Sequence, residues 1–224
     1  MMLRPLSLRI KEKLLGWSKK LNIRLAEFQE TDCILFVTNG TPDDVVCLII
    51  SHKFDGKSVV GITKPKKTRD SAIPEVLNVI GKMKVKKIAL IVDQEEEELA
   101  DLWRRIEKRL HDCGVKYSEK EKEERFRSYE CKLGPRDFEL LVCINGLDKP
   151  YIRHTIEDHL VEASKKLGKD SPPEDPKEAW KGLEEDEQLK VYHYLSKKAD
   201  MNEIERLFPQ QVKLFEALIT RNDF

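Results

Sequence analysis

Apolar positions along the first half of the chain alternate between short continuous runs and runs with helical spacing. Three continuous runs predict strands, at residues 33–37, 58–62 and 88–92. The last run is rich in β-branched residues, which is typical of a strand buried on both faces of a parallel sheet. Helices are predicted after these strands, at residues 45–54, 71–83 and 95–111. This alternation predicts an α/β fold with a mainly parallel sheet and flanking helices on both faces.

Other patterns lie on either side of this alternation. Apolar residues three and four positions apart, from Ile10 to Phe28, predict an amphipathic N-terminal helix. Two further segments, 125–132 and 138–144, predict an antiparallel strand pair or edge added to the sheet. Three more helices are predicted towards the carboxyl terminus, at residues 149–167, 177–199 and 202–219.

Residues 168–176 are rich in Pro, Asp and Ser, which is typical of a linker. We therefore expect three parts, which are an N-terminal amphipathic helical segment (1–30), an α/β core (31–168) and a C-terminal helical extension (169–224). The chain of 224 residues is long enough for one large domain, or for one domain with a helical appendix.

The content and balance of charged residues limit the kinds of binding partner that the sequence indicates. Charged residues make up 37% of the chain, above the usual quarter, which favours a protein from a hot environment with surface ion networks. Positive and negative side chains balance at 41 each, so overall charge indicates neither a nucleic acid nor a membrane as partner. Any contact with nucleic acid must therefore come from a local basic patch.

The cysteines and the N-terminus indicate a cytoplasmic protein. Five cysteines occur without a CxxC pair, mostly in apolar surroundings, as expected of buried and reduced thiols. The N-terminal residues contain no apolar stretch of the signal-peptide kind. No run approaches the roughly 18 apolar residues that span a bilayer, so we expect no membrane partner.

Acidic residues at predicted strand ends are the first candidates for chemistry, since the sequence has no GxxxxGK, GxGxxG, GxSxG or HExxH motif. Asp93 and Glu95 end the buried strand 88–92, where ligands of α/β sheets bind. Carboxylates two apart on an extended backbone point the same way, so this pair can share a hydrated magnesium ion. Asp43 and Asp44 follow another strand, but carboxylates there can also serve only to stabilise a helix dipole.

A basic loop supplies the second candidate, with its cations at Lys64, Lys66, Lys67 and Arg69. These side chains can hold the phosphates of a nucleotide or of a nucleic-acid backbone. No aromatic residue interleaves them, so base stacking is not indicated. The alternative is a solvated, mobile loop. We expect this loop, Asp93, Glu95 and the turn at 39–44 to share one rim of the sheet, because all follow carboxyl ends of parallel strands.

A histidine near two carboxylates is the third candidate. On a helix, His154 faces Glu157 and Asp158, which lie three and four residues further on. An imidazole with a carboxylate can complete a metal site or carry a proton near neutral pH. The alternative is a charged helix face with local pairs.

Taken together, these pieces resemble the TOPRIM (topoisomerase–primase) domain, especially the stand-alone archaeal and bacterial TOPRIM-like proteins of unassigned function. The family pattern is an apolar strand ending in Glu-Gly, then a strand ending in Asp-x-Asp. Phe36-Val37-Thr38-Asn39-Gly40 stands in the first place and Ile91-Val92-Asp93-Gln94-Glu95 in the second. The pair Glu157-Asp158 resembles a further acidic motif of the stand-alone members. The resemblance covers about residues 33–167.

The resemblance implies a parallel α/β sheet whose acidic residues bind magnesium in the family's active enzymes, with the Glu in proton transfer. Here Thr38 or Asn39 replaces that Glu, and Glu95 replaces the second Asp. We therefore expect a catalytically degenerate binding module for nucleic acid, nucleotide or a protein partner, with weakly bound magnesium. The alternative is a magnesium-dependent nuclease or phosphotransferase that uses Asp93, Glu95 and Glu157. A third, purely structural reading gives the carboxylates no role beyond starting helices.

Overall fold

The computed structural model describes residues 1–27, 29–31, 33–83, 85–168 and 174–220. Seven strands lie in this part of the chain: β1 (Met2–Pro5), β2 (Cys33–Val37), β3 (Val59–Thr63), β4 (Lys87–Asp93), β5 (Lys116–Lys122), β6 (Phe126–Leu133) and β7 (Arg136–Asn145). They form one sheet in the order β1-β3-β2-β4-β7-β6-β5. The first five of that order are parallel, and β6 runs antiparallel to β7 and β5.

Helices connect and cover these strands. The described residues include nine α-helices: α1 (Leu8–Leu21), α2 (Asp43–Lys53), α3 (Ile73–Lys82), α4 (Leu99–Asp112), α5 (Ile156–Ser164), α6 (Pro176–Lys181), α7 (Glu185–His193), α8 (Met201–Leu207) and α9 (Pro209–Ile219). A single 3-10 turn precedes α3 and another follows α5, while α7 continues into one π-helical turn. None of the described helices combines the length and the apolarity needed to cross a bilayer.

Alternate residues of the central strands feed two separate apolar cores. Ala89 and Ile91 of β4 pack with α2, α5 and the C-terminal helices, whereas Ile88 and Leu90 pack with α3 and α4. A strand covered on both faces needs apolar residues at every position, which is why residues 88–92 form an unbroken apolar run. The predicted α/β class, with a mainly parallel sheet and helices on both faces, is confirmed.

Two strands escaped prediction, and one predicted pairing is confirmed and extended. The strand β1 has four residues, and β5 has the sequence Lys-Tyr-Ser-Glu-Lys-Glu-Lys, which is exposed along nearly its whole length. The first is too short, and the second too polar, to give a recognisable apolar run. The predicted antiparallel segments 125–132 and 138–144 do pair with each other, as β6 and β7, but β7 also extends the parallel sheet through β4.

Several predicted helix bounds were wrong. The N-terminal helix ends at Leu21 because Asn22 adopts the left-handed conformation, with φ at 55°, and Phe28 lies outside the described residues. The helix predicted at 149–167 begins only at Ile156. Those at 177–199 and 202–219 are each interrupted, the first after Lys181 and the second at Phe208.

The C-terminal helices pack on the same sheet face as α2. The residues Tyr192, Phe208 and Phe215 are buried in the core that α2 shares with β2 and β4. Lys87 of β4 donates hydrogen bonds to the carbonyl oxygens of Ala217 and Thr220, at 2.7 and 2.6 Å. The helix α9 therefore lies directly against the strands whose carboxyl ends form the site described next.

Candidate functional site

The carboxyl ends of β2, β3 and β4 open into one pocket of about 310 Å³. Its ionisable lining is mixed in sign: Asp43, Asp93, Glu157, Lys64, Lys66, Lys177 and Lys181. Asn39 also lines it. The pocket lies where ligands of open α/β sheets bind, because strand ends leave backbone and side-chain polar groups facing a crevice.

A pair of buried aspartates forms the floor of the site. Asp43 is in the first turn of α2, and Asp93 is the last residue of β4. The parallel register places Asp93 opposite Asn145, the last residue of β7. The Asn145 amide nitrogen donates to Oδ1 of Asp43 at 2.7 Å and to Oδ1 of Asp93 at 2.8 Å. The two carboxylates, 3% and 2% exposed, thus share one donor between them.

Burial and mutual repulsion raise the pKa values of these acids. Burial, then the negative charges of Asp93 and Glu157, holds the pKa of Asp43 well above its ordinary value. Burial raises the pKa of Asp93 to about 7, although the Asn145 hydrogen bond opposes the shift. Burial also raises the pKa of Glu157. The cluster therefore holds protons near neutral pH that it would release to a bound cation.

Asp44 is buried beside this cluster but acts locally. Its carboxylate accepts a hydrogen bond from the backbone N–H of Val45 at 3.0 Å, in the first turn of α2. Burial raises its pKa, while the charges of Lys13 and Lys64 lower it. This contact suits the helix-start role that the sequence left open for Asp43 and Asp44.

The basic loop divides between the pocket and the surface that surrounds it. A Cβ atom added to Gly40 would lie 3.3 Å from Nζ of Lys64, so the glycine lets that ammonium group approach the backbone. Lys66 also reaches the pocket, but its described lining does not include Lys67 or Arg69. The guanidinium of Arg69 instead donates to the carbonyl of Gln94 and pairs with Glu97.

Glu95 does not continue the strand beyond Asp93. Its φ is 60°, so the backbone is not extended there, and the argument that the two carboxylates point the same way is wrong at this position. The backbone of Glu95 instead makes an isolated bridge with His154. The carboxylate of Glu95 pairs with Lys177 at 2.6 Å, at the edge of the pocket.

His154 is not on a helix as predicted. It precedes α5, and its Nδ1 lies 3.2 Å from Oδ2 of Asp158. Asp158 is fully buried and also accepts backbone N–H groups from Leu147 and Thr155. Glu157, the next residue of the acidic pair, instead lines the pocket. The local pairing that the sequence left as the alternative is therefore what this histidine makes.

Sequence reasoning missed Asn145, Lys177 and Lys181. Asn145 directly follows the predicted strand 138–144, and its place at a strand end was a usable signal. The lysines lie on α6, beyond the predicted linker, and no sequence pattern relates them to the pocket.

The side chains of the site can be compared with the ligands that metal ions require. Among the described residues, no group of three or more His, Cys, Asp or Glu side chains has the arrangement of a metal site. Zinc-like cages are thus not indicated there. Magnesium, in contrast, commonly binds through one or two carboxylates and keeps several waters, a requirement that Asp43 and Asp93 fit.

Comparison with known proteins gave no relative to guide the assignment. No protein-family model, no curated protein and no solved structure matches this chain.

Proposed function

We propose that the pocket binds a phosphate-bearing ligand together with a hydrated divalent cation, and that the protein is a TOPRIM-like binding module. One observation carries this proposal, which is that buried carboxylates and lysines line the same small pocket at the carboxyl ends of parallel strands. Acidic oxygens are the ligands that magnesium prefers, and lysines hold phosphate as point charges.

The acidic side of the pocket supports the cation. Asp43 and Asp93 each give one oxygen to the Asn145 amide, which leaves the second oxygen of each available for an ion and its waters. A divalent cation would replace the protons that burial and repulsion retain on the cluster. Bound there, the ion would neutralise phosphate charge and orient the ligand.

The basic side supports the phosphate. Lys64 and Lys66 come from the loop after β3, and Lys177 and Lys181 come from α6, so cations approach from two directions. The side-chain nitrogen of Asn39 is buried at this pocket without a hydrogen-bond partner among the described residues. A phosphate oxygen would satisfy that donor. The volume of about 310 Å³ suits a terminal phosphate or a nucleotide's phosphates more than a duplex.

The missing glutamate favours binding over cleavage. Thr38, which stands in the family's glutamate place, is buried, and its hydroxyl donates to the carbonyl of Ile91 at 2.9 Å. A threonine held in this way cannot accept a proton as a carboxylate would. The side chain of the next residue, Asn39, is an amide and cannot accept a proton in that way either.

One observation keeps a magnesium-dependent nuclease or phosphotransferase as the second candidate. The pKa of Asp93, raised to about 7 by burial, suits a general acid or base near neutral pH. Incubation of the protein with Mn²⁺ and a 5′-labelled oligonucleotide separates the candidates. If the wild-type protein cleaves the oligonucleotide and Asp93→Asn does not, the protein is a nuclease and not only a binding module.

Calorimetry tests the binding function. Pyrophosphate and Mn²⁺ are titrated separately and then together, and each should bind more tightly in the presence of the other. Lys64→Ala and Lys66→Ala should weaken pyrophosphate binding, whereas Lys67→Ala is a matched control from the same loop. Equal losses in all three variants would indicate only a general charge effect. The absence of heat with either probe would refute the proposed function.

A further inference from the structure

We infer that Gln211 and His159 are positioning residues that fix the orientation of the Asn145 amide and, through it, the buried acid pair. The role of these residues in ligand binding rests on the proposed function, whereas the hydrogen-bond geometry does not depend on it. Gln211 belongs to the C-terminal helix α9, outside the sequence motifs, and His159 follows the acidic pair Glu157-Asp158 on α5. The network begins at a backbone carbonyl and ends at the two carboxylates.

The orientation starts at His159, which is fully buried. Its Nδ1 lies 2.7 Å from the carbonyl oxygen of Leu207, and its Nε2 lies 3.3 Å from the backbone nitrogen of Gly146. A carbonyl oxygen only accepts a hydrogen bond, and a backbone N–H only donates one. The proton therefore sits on Nδ1, and Nε2 is an acceptor. Phe208 stacks against the ring, with centroids 5.4 Å apart, and holds its plane.

Two glutamine side chains contact this acceptor. The side-chain nitrogens of Gln210 and Gln211 lie 3.1 and 3.3 Å from Nε2 of His159. Nε2 has a single lone pair, which the Gly146 N–H and these two nitrogens share, and this lone pair would repel a glutamine oxygen in the same place. For Gln210 a second contact agrees, since its nitrogen donates to the carbonyl of Gly146 at 2.8 Å.

Gln211 in turn orients the Asn145 amide, which contacts the acid pair. The side-chain nitrogen of Gln211 donates to Oδ1 of Asn145 at 2.8 Å. With its oxygen committed, Asn145 must direct its nitrogen at Asp43 and Asp93. The reversed amide would place the Asn145 nitrogen against the Gln211 nitrogen, so two donors would face each other. Gln211 therefore determines which end of Asn145 the acids meet.

This arrangement has a consequence for the ligand. The Asn145 nitrogen fixes one oxygen of each carboxylate, so the remaining oxygens hold a defined position before a cation arrives. Sites held by such supporting hydrogen bonds bind more tightly because less ordering is left for the binding step. The C-terminal helix thus contributes to the pocket although it does not line it.

A pair of matched variants tests the inference. Gln211→Met removes the donor to Asn145, and Gln210→Met removes the donor to the Gly146 carbonyl. Each leaves one buried oxygen unpaired, but Gln211→Met also removes the Gln211 Oε1, which has no partner among the described residues, so it should cost no more thermal stability than Gln210→Met. Only the first should disturb the acid pair. If Gln211→Met fails to fold, Gln211→Glu keeps the shape and charges the group, which removes the donor in another way.

The first measurement needs no ligand. In ¹⁵N-labelled, metal-free protein, the side-chain amide signals of Asn145 are identified by their loss in Asn145→Asp. Gln211→Met should shift or broaden these signals, and Gln210→Met should leave them in place. Unchanged signals in Gln211→Met, or equal changes in both variants, would overturn the inference even if the pocket binds its ligand.

The second measurement uses Mn²⁺. Loss of one positioning hydrogen bond should weaken Mn²⁺ binding about tenfold in Gln211→Met, while Gln210→Met stays close to the wild type. Equal weakening in both variants would reduce Gln211 to a structural role. If the wild-type protein binds no Mn²⁺, the proposed function fails, whereas the amide signals still decide whether Gln211 positions Asn145.

Discussion

Replacing Asp93 by asparagine should stabilise the protein at alkaline pH. Burial raises the pKa of Asp93 from 3.8 to about 7, so the folded protein retains a proton that the unfolded chain has released. The folded state is therefore favoured at low pH, and this contribution is lost as the pH rises from about 4 to about 7. At 1.36 kcal/mol per pKa unit, ionising Asp93 in the folded protein lowers the free energy of unfolding by about 4 kcal/mol above pH 7.

Asparagine cannot ionise, so this penalty is absent from the variant. Its side-chain oxygen can still accept the hydrogen bond from Asn145, which keeps the packing comparable. At pH 5, which is about 1.2 units above the unfolded pKa, about a third of the penalty is already present, so the variant should be more stable by roughly 1.6 kcal/mol. At pH 8 the variant should be more stable than the wild type by an amount that approaches the full penalty.

Urea unfolding followed by circular dichroism at pH 5 and pH 8 measures both differences, and equal slopes show that the same transition is compared. Asp137→Asn, at an exposed position, is the control and should show no pH-dependent gain. Mn²⁺ should stabilise the wild type more at pH 8, where the acids are ionised, and should lose this effect in Asp93→Asn. A stability difference that stays the same at both pH values would refute the reasoning.

Three further substitutions test the structure around the pocket. Gly146→Ala should lower the free energy of unfolding by roughly 3 kcal/mol, because φ of Gly146 is 128° and the new Cβ would lie 2.6 Å from the Cβ of His154. A smaller loss, measured by urea unfolding, would contradict this turn geometry. Gly40→Ala should leave unfolding nearly unchanged but displace the ammonium of Lys64 and weaken pyrophosphate binding; unaltered calorimetric affinity would separate that lysine from the ligand. Thr38→Val should cost about 1 kcal/mol, from one lost buried hydrogen bond, without changing pyrophosphate affinity.

The parts of the fold that could be predicted are those with a strong local pattern. The run 88–92 is apolar at every position because its residues alternate between two cores, and this pattern identified the central strand. The position of Asp93 at the sheet rim followed from the strand end alone. The exposed edge strand β5 has a nearly uniform charged sequence, and its pairing depends on β6, so it could not be recognised locally.

The direction of Glu95 was beyond sequence reasoning for a different reason. Side chains two apart share a direction only while the strand continues, and β4 stops at Asp93. The bridge between the backbones of Glu95 and His154 joins residues far apart in the chain, so it became visible only after the fold was assembled. The ion pair with Lys177 follows from this turn.

The same reasoning explains why the site extends past the predicted linker. An acid pair buried at a strand end needs donors, and the local sequence around β4 supplies none that reach both carboxylates. Asn145 supplies the shared donor from β7, and its own orientation depends on Gln211 from α9. Lys177 adds a cation from α6. The Gln211 contact depends on the C-terminal helices packing beside α2, and burial of Tyr192, Phe208 and Phe215 stabilises that packing. The chemistry of the pocket is therefore a product of packing between distant segments, and a motif search restricted to residues 33–167 would find its acids without Gln211 and Lys177.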